Sequence, residues 1–439
     1  PGHSLSRRSL LRGAAAVAGG AALTACNTDI NNSGGAGKGG GGGGGGDTKV
    51  GSGSVNLNQW YHQYGEKGTH EAVVRYAKKF AKAHSGISVK VGWNPGDYEG
   101  KLSTALLKGG PDVFELGQPT LDMVNNNQVE PLDDLYTAAI KKDFNPIVLD
   151  RITINNKIYA VPIVLDTGVL YYRKSLLSKA KVDPPETIDD LIAAAKKLTQ
   201  GKSKGLFLGN DGGVEATQGL LPWSAGVSFM DGEKLTFNND KSAAAYEKLV
   251  ELNKTGALLQ GFTTDYLDPS AFTQGACAMQ WTGLWAMPQI QKELGDDFGV
   301  VPWPKMTGVS GATPATFIGG WQEMVNPKSG HVDDAKELTK WMWLEQKDIQ
   351  KDFNLSYGFH VPPRQSAAHE AKALQTGPAA DAASILDKYG NVMSNLWTDS
   401  MNTYLTNGVS RMVKKGADIQ SQLGTIEHQC QQELKKELG

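Results

Sequence analysis

The chain has 439 residues, 40% of them hydrophobic, enough to build two lobes with separate cores. Lys and Arg number 44 against 46 Asp and Glu, a formal charge of −2, and no basic stripe appears, which argues against a nucleic-acid partner. No stretch beyond the N-terminal region is apolar enough to span a bilayer, and the conspicuous excess is aromatic, with ten Trp.

In chain order, the first feature is Ser6-Arg7-Arg8-Ser9-Leu10-Leu11-Arg12 followed by a weakly apolar run from Gly13 to Ala22. A charged segment ahead of a short apolar one has the form of a secretory signal, and paired arginines mark its twin-arginine version. Leu23-Thr24-Ala25-Cys26 resembles a lipobox, which implies lipidation of Cys26 and removal of the residues before it. An ordinary N-terminal helix with a buried Cys is the alternative; the order of charge, apolar run, small residues and Cys favours the signal over 1–26. The chain opens Pro1-Gly2-His3, without Met, as a trimmed start would.

Residues 27–54 are nearly all Gly, Ser, Asn and Thr, with Gly39–Gly46 unbroken. Such a segment has little to bury and much backbone entropy to lose, so a disordered tether is expected. About 28 Gly-rich residues reach roughly 30 Å on average, enough to hold a body just off a membrane face. The glycines around Ala36 lack the preceding strand and following helix of a phosphate-binding loop. Without Arg7, Arg8 and Arg12 the mature chain carries 41 basic against 46 acidic residues.

Past the tether, Val55–Trp60 alternates apolar and polar residues as a strand does. Thr69–His84 places Val73, Tyr76, Ala77 and Phe80 on one helical face. Ile87–Trp93 alternates again, Tyr98–Lys108 carries Tyr98, Leu102, Ala105 and Leu106 on one side, and Val113–Leu116 is a short apolar run. Alternating strands and helices predict α/β architecture with a largely parallel sheet. Ligands of such sheets sit beyond the carboxyl ends of the strands, here the loops after Trp60, after Trp93 and around Asp112–Gln118.

A second region starts near Asp166. Val161-Pro162 and Leu170-Tyr171-Tyr172 read as strands. Thr187 and Asp190 form a capping box ahead of a helix that buries Leu191, Ala194, Ala195 and Leu198. Asn239–Gly256 and Val332–Gln346 read as further helices, and helical signals continue to the C-terminus. Cys277 and Cys430 either pair or stay free and buried; their separation in sequence does not decide.

Pro111-Asp112-Val113-Phe114, Tyr159-Ala160-Val161-Pro162, Leu170-Tyr171-Tyr172-Arg173-Lys174, Gly275–Met279 ahead of Gly283-Leu284-Trp285, Gly319-Gly320-Trp321 and Tyr357–Arg364 follow one another over some 300 residues. In order and spacing the body resembles the extracellular solute-binding proteins that deliver sugars to ABC importers, the group that includes maltose-binding protein. The resemblance implies a two-lobed periplasmic-binding-protein fold with hinge strands and a ligand cleft. The first lobe is expected at 55–165 plus 284–330, the second at 166–283 plus 331–439. It also implies a monomer anchored by lipid on the extracytoplasmic face of the membrane, with ABC permease subunits as partners, no cofactor or metal, and no chemistry on the ligand.

A neutral oligosaccharide fits the composition. A sugar ring needs flat aromatic surfaces beside planar polar groups that donate and accept. The candidates are Trp281, Trp285 and Trp321, with Trp223 and Trp60 behind them, although core packing is the alternative for any single Trp. Of Trp341 and Trp343, at least one is expected in the core. Polar candidates are His62, Tyr64, Asp112, Gln118, Asp166, Thr167, Asp211, Gln280 and Arg364. Asp112 is alternatively a turn cap, Asp211 a turn residue and Arg364 half of a structural ion pair. Overall resemblance puts xylobiose and xylo-oligosaccharides first, with cello-oligosaccharides and maltose-type sugars behind.

Two other classes compete. A surface glycoside hydrolase needs two opposed carboxylates, which 46 acidic residues cannot exclude, but no Gly-x-Ser-x-Gly elbow or phosphate loop appears. His70-Glu71 and His369-Glu370 lack the second His of a zinc helix, and the eight His show no metal-ligand spacing. A receptor for peptides or amino acids calls for fixed charges at the ligand termini rather than this aromatic excess.

Overall fold

The computed structural model describes residues 47–438, so the signal segment, Cys26 and the Gly-rich stretch through position 46 lie outside it. The end of the expected tether is structured. Thr48–Val50 pairs antiparallel with Val89–Val91, and Val50 is buried. Edge pairing uses backbone groups and needs few side chains, which is why a Gly-rich composition hid it. Gly51 makes the approach feasible: its φ is +84°, and a Cβ there would stand 2.8 Å from Ala81 Cβ.

The first sheet orders its strands Thr48–Val50, Ile87–Asn94, Val55–His62, Val113–Leu116, Gln322–Val325 and Val161–Pro162. Val55–His62 runs parallel to both its neighbours, as the strand–helix–strand alternation predicts. Gln322–Val325 comes from far along the chain and is antiparallel to Val113–Leu116. The helix Thr69–Ala83 buries Val73, Tyr76, Ala77 and Phe80 against this sheet's core. Each large apolar side chain so buried contributes roughly 1.5–3 kcal/mol.

The second sheet has the order Gly299–Val301, Gly168–Tyr172, Cys277–Gly283, Lys204–Phe207. Cys277–Gly283 is buried along its whole length. The helix Ile188–Leu198 carries both halves of the capping box: Thr187 Oγ1 accepts from Asp190 N at 3.2 Å, and Asp190 Oδ2 accepts from Thr187 N at 3.0 Å. The helix Asp240–Lys254 is capped by Asn239. Cys277 and Cys430 are buried and do not pair with each other. Among the described residues no helix is long and apolar enough to cross a membrane.

The lobe boundaries differ from the expected ones. Gly299–Val301, assigned above to the first lobe, pairs with Leu170–Tyr172 of the second sheet. Helices Val332–Lys340 and Lys347–Leu355, assigned to the second lobe, pack with the first, and Ala335, Leu338, Ile349 and Phe353 join its core. Which sheet a short strand joins depends on long-range pairing, which local periodicity does not encode. The expected single helix Val332–Gln346 is also interrupted, by a π-helical turn over Trp341–Glu345. That widened turn buries Met342, Trp343 and Leu344 together. Trp343 is core and Trp341 only partly buried.

Three chain segments meet between the sheets. Leu165 bridges Val361 and Asp166 bridges Gly319. Gly320 sits at φ +98° with Val164 O only 1.9 Å from where a Cβ would be, so this crossing tolerates no side chain.

Candidate functional site

Beside these crossings lies a cavity of about 570 Å³, lined from the first sheet by His62, Tyr64, Glu66 and Trp321, from the crossings by Asp166, Tyr357 and His360, and across from them by Leu267, Asp268 and Trp285. His62 and Tyr64 occupy it because they end and follow a central parallel strand, and Glu115 lies at the carboxyl end of the next.

Glu115 organises the first wall. It is fully buried; its Oε1 accepts from His62 N at 2.7 Å and faces His62 Nδ1 at 2.5 Å, while Oε2 accepts from Tyr64 OH at 2.7 Å. Burial first, then the Glu115 charge, pushes the Tyr64 phenol well above its ordinary range, so it stays a donor. The His62 ring stacks on Trp321, centroids 3.9 Å apart and planes 23° from parallel. One indole face is thereby backed, and Tyr98 meets the same indole edge-on.

Across the cavity Trp285 is half-buried, its Nε1 donating to Leu267 O at 2.9 Å. Gln280 holds that loop from behind: Nε2 donates to Tyr266 O at 3.1 Å and Asp268 O at 2.8 Å, and Oε1 accepts from Phe272 N at 3.1 Å. Gln280 is therefore a support of the wall with its amide already committed, not a lining residue.

At the crossings, His360 Nε2 stands 2.8 Å from Glu66 Oε1 and Nδ1 3.0 Å from Asp166 Oδ2, the second contact out of line for a full hydrogen bond. Burial opposes charge on this imidazole, but the carboxylates of Asp166 and Glu66 outweigh it and push its pKa up to about 10. Burial raises the Asp166 carboxyl above its ordinary range, and the pull of His360 offsets only part of that rise. Asp166 Oδ1 is buried and has no partner among the described residues.

Five expected residues thus line one cavity: His62, Tyr64, Asp166, Trp285 and Trp321. The others lie elsewhere. Trp281 is 1% exposed and packs edge-on against Trp303 in the second core; it neighbours Gln280 in sequence but points to the opposite face of a fully covered strand. Trp223 is also core, and Trp60 packs against Gly92. Asp112 precedes its strand rather than following it, and accepts from Asn58 N at 2.7 Å and from the Ser329 hydroxyl. It holds the amino end of the sheet, away from the cavity. Thr167 is buried, its Oγ1 2.7 Å from Thr316 Oγ1. Asp211 accepts from the backbone N–H groups of Gly213, Val214 and Glu215, capping a short helix. Arg364 Nε pairs with Asp143 at 2.7 Å, the structural alternative.

Gln118 lines a second cavity of about 270 Å³ with Glu99, Trp397 and Asp399. Its Oε1 faces Arg151 Nε at 3.3 Å; Arg151 also donates to Gly319 O at 2.8 Å. Burial lowers this guanidinium's pKa to about 10.

Sequence reasoning missed Glu66, Glu115, Tyr357 and His360. Glu115 had a signal, a charge inside the apolar run Val113-Phe114-Glu115-Leu116. His360 lay within the motif ending at Arg364 but only the arginine was singled out. Glu66 had no signal, since its role depends on a residue 294 positions away.

The body is similar to known proteins over most of its length. It is 29% identical over 332 residues, 70% of this chain and 71% of the other, to an uncharacterized ABC transporter extracellular-binding protein of Pyrococcus horikoshii. It is 24% identical to a galactooligosaccharide-binding protein of Bacillus subtilis, covering 80% of this chain and 84% of that one. The fold matches that of the sugar-binding protein MalE of Xanthomonas citri with a TM-score of 0.72 at 19% identity, covering 87% and 98% of the two chains. The family model of the bacterial extracellular solute-binding proteins matches residues 75–382, most of the described body, and the chain belongs to that family.

Proposed function

We propose that this protein is the capture component of an ABC sugar importer, binding a neutral oligosaccharide between its lobes and passing it intact to the permease. The observation that carries this reading is the cavity itself: Trp285, Trp321 and Tyr357 offer flat apolar surfaces, and Tyr64, Asp166 and Asp268 offer polar groups, around a space of about 570 Å³. That combination suits a ring with apolar faces and a fringe of hydroxyls. The relation to oligosaccharide-binding relatives supports it further. Xylobiose and xylo-oligosaccharides are the first choice within the class, ahead of cello- and malto-oligosaccharides. Cys26 would anchor the chain to the outer membrane face and raise its local concentration at the permease.

Solute bridging both walls would favour a closed arrangement by its differential contacts. Calorimetric titration of the chain with xylobiose, cellobiose, maltose and chitobiose, with product analysis of the same mixtures, tests the reading. Tight binding of one sugar recovered intact supports it. Failure of all four removes the neutral-disaccharide reading in favour of peptides or other solutes, and cleavage would make the protein a glycoside hydrolase.

A further inference from the structure

Stacking on Trp285 and Trp321 does not require the ionic group buried in the cavity wall. Glu66, Asp166 and His360 come from three separate segments, and His360 is 4% exposed. An isolated buried carboxylate sheds its charge, because desolvation favours the protonated form. Here one imidazole contacts both carboxylates, at 2.8 and 3.0 Å. The oxygen of Asp166 left over from that contact, Oδ1, is a buried acceptor with no partner among the described residues, on a residue that lines the cavity.

With Glu66 and Asp166 counted, the charges around the cavity are acidic in balance, four carboxylates against two cations. Asp268 also lines it and Glu115 lies beneath His62, against Lys67 and the His360 cation. Among the described residues the charged groups in contact with His360 are Glu66 and Asp166; His62 acts on Glu66 only through its field.

We propose that Glu66 and His360 are positioning residues that keep Asp166 an ionised acceptor on the cavity wall, so that the solute must present hydroxyl or ammonium donors there and carboxylate- or phosphate-bearing sugars are refused. This deepens, and rests on, the reading of the cavity as a sugar site. Loss of His360 leaves Asp166 buried without its counter-ion; the carboxyl then takes up a proton and becomes a donor, and acceptor strength returns only as pH rises.

The test has a ligand-free arm and a binding arm. In the intact chain, the His360 ring, assigned by its disappearance in His360→Gln, stays doubly protonated at pH 8, and titrates at least about one unit lower in Asp166→Asn and in the milder Glu66→Gln. A wild-type ring that titrates near the ordinary 6.5 overturns the proposal whatever the protein binds. In calorimetry, xylobiose or cellobiose binds at least about tenfold more tightly than cellobiouronic acid, and Asp166→Asn narrows that ratio by about tenfold or more, the scale of one hydrogen bond to a charged group. In His360→Gln, affinity for the neutral sugar rises between pH 6 and pH 9, which a merely structural role would not produce. Equal affinity for the acid, or unchanged discrimination in Asp166→Asn, overturns the proposal. If no sugar binds the wild type while the ring titrates as expected, the sugar reading fails and the ionic lock stands.

Discussion

Tryptophan meets opposite fates in the two sheets. Trp321 precedes a strand of the first sheet, where the chain emerges from the crossing, and stands half-buried on the cavity wall. Trp281 lies inside a strand of the second sheet covered on both faces, and is swallowed by the core. Each is embedded in a motif and each is flanked by a polar residue. Position along a strand, rather than residue type, separates a cavity-lining surface from a packing unit. The polar interiors differ too. The first sheet buries Gln59, Tyr61 and the carboxyls of Glu115 and Glu323, whereas the second region buries the uncharged Thr217, Ser224, Ser242, Gln280 and Thr282.

The sharpest test of that contrast is Trp281→Ala, which leaves a large hole beside Trp303. A loss of about 3–5 kcal/mol in stability is expected, read from urea unfolding. A cost below about 1 kcal/mol would mean the residue is not the packing unit its burial indicates.

Next in size is Glu323. Its Oε2 accepts from Gln59 Nε2 at 2.8 Å and Tyr61 OH at 3.2 Å. Burial raises its pKa to about 7 against the opposing pull of those bonds. Between its ordinary 4.5 and about 7 the folded state therefore binds the extra proton, and stability falls as pH rises through that window, by up to roughly 3 kcal/mol. Glu323→Gln should remove this slope in unfolding curves taken from pH 4.5 to 8. His360 moves the other way in origin but adds to the loss higher up. Its pKa is raised in the fold, so its contribution is complete below 6.5 and disappears as pH rises through about 10.

Trp321→Ala makes the complementary case to Trp281. Stability should change by less than about 1–2 kcal/mol, since the indole is half-exposed, while affinity for the captured sugar falls about ten- to hundredfold by calorimetry. Binding that survives unchanged would place the stacking surface on Trp285 alone. The smallest effect is expected at the capping box, where Thr187→Ala should cost about 1 kcal/mol and leave binding untouched.

Local signals were legible where side-chain periodicity and short-range hydrogen bonds decide the outcome. Val113–Leu116 and the capping box at Thr187 and Asp190 appear where the pattern puts them, and the family resemblance carried by the short motifs is confirmed by the match over 75–382. His62, Tyr64 and Asp166 line the cavity because strand ends and chain crossings, which are recognisable in sequence, are where it lies. Asp112 was misjudged by one end of a strand, and Gln280 by one layer: it shapes the wall from behind.

The sequence by itself determined the α/β class, most helix and strand positions and the aromatic richness, because these follow from neighbours within a few residues. Only the tertiary structure decided that Gly299–Val301 joins the second sheet, that Trp281 is sealed in, and that His360 contacts both Glu66 and Asp166. Those outcomes depend on pairing, burial and charge between segments far apart in the chain, and no local window contains the energies that fix them.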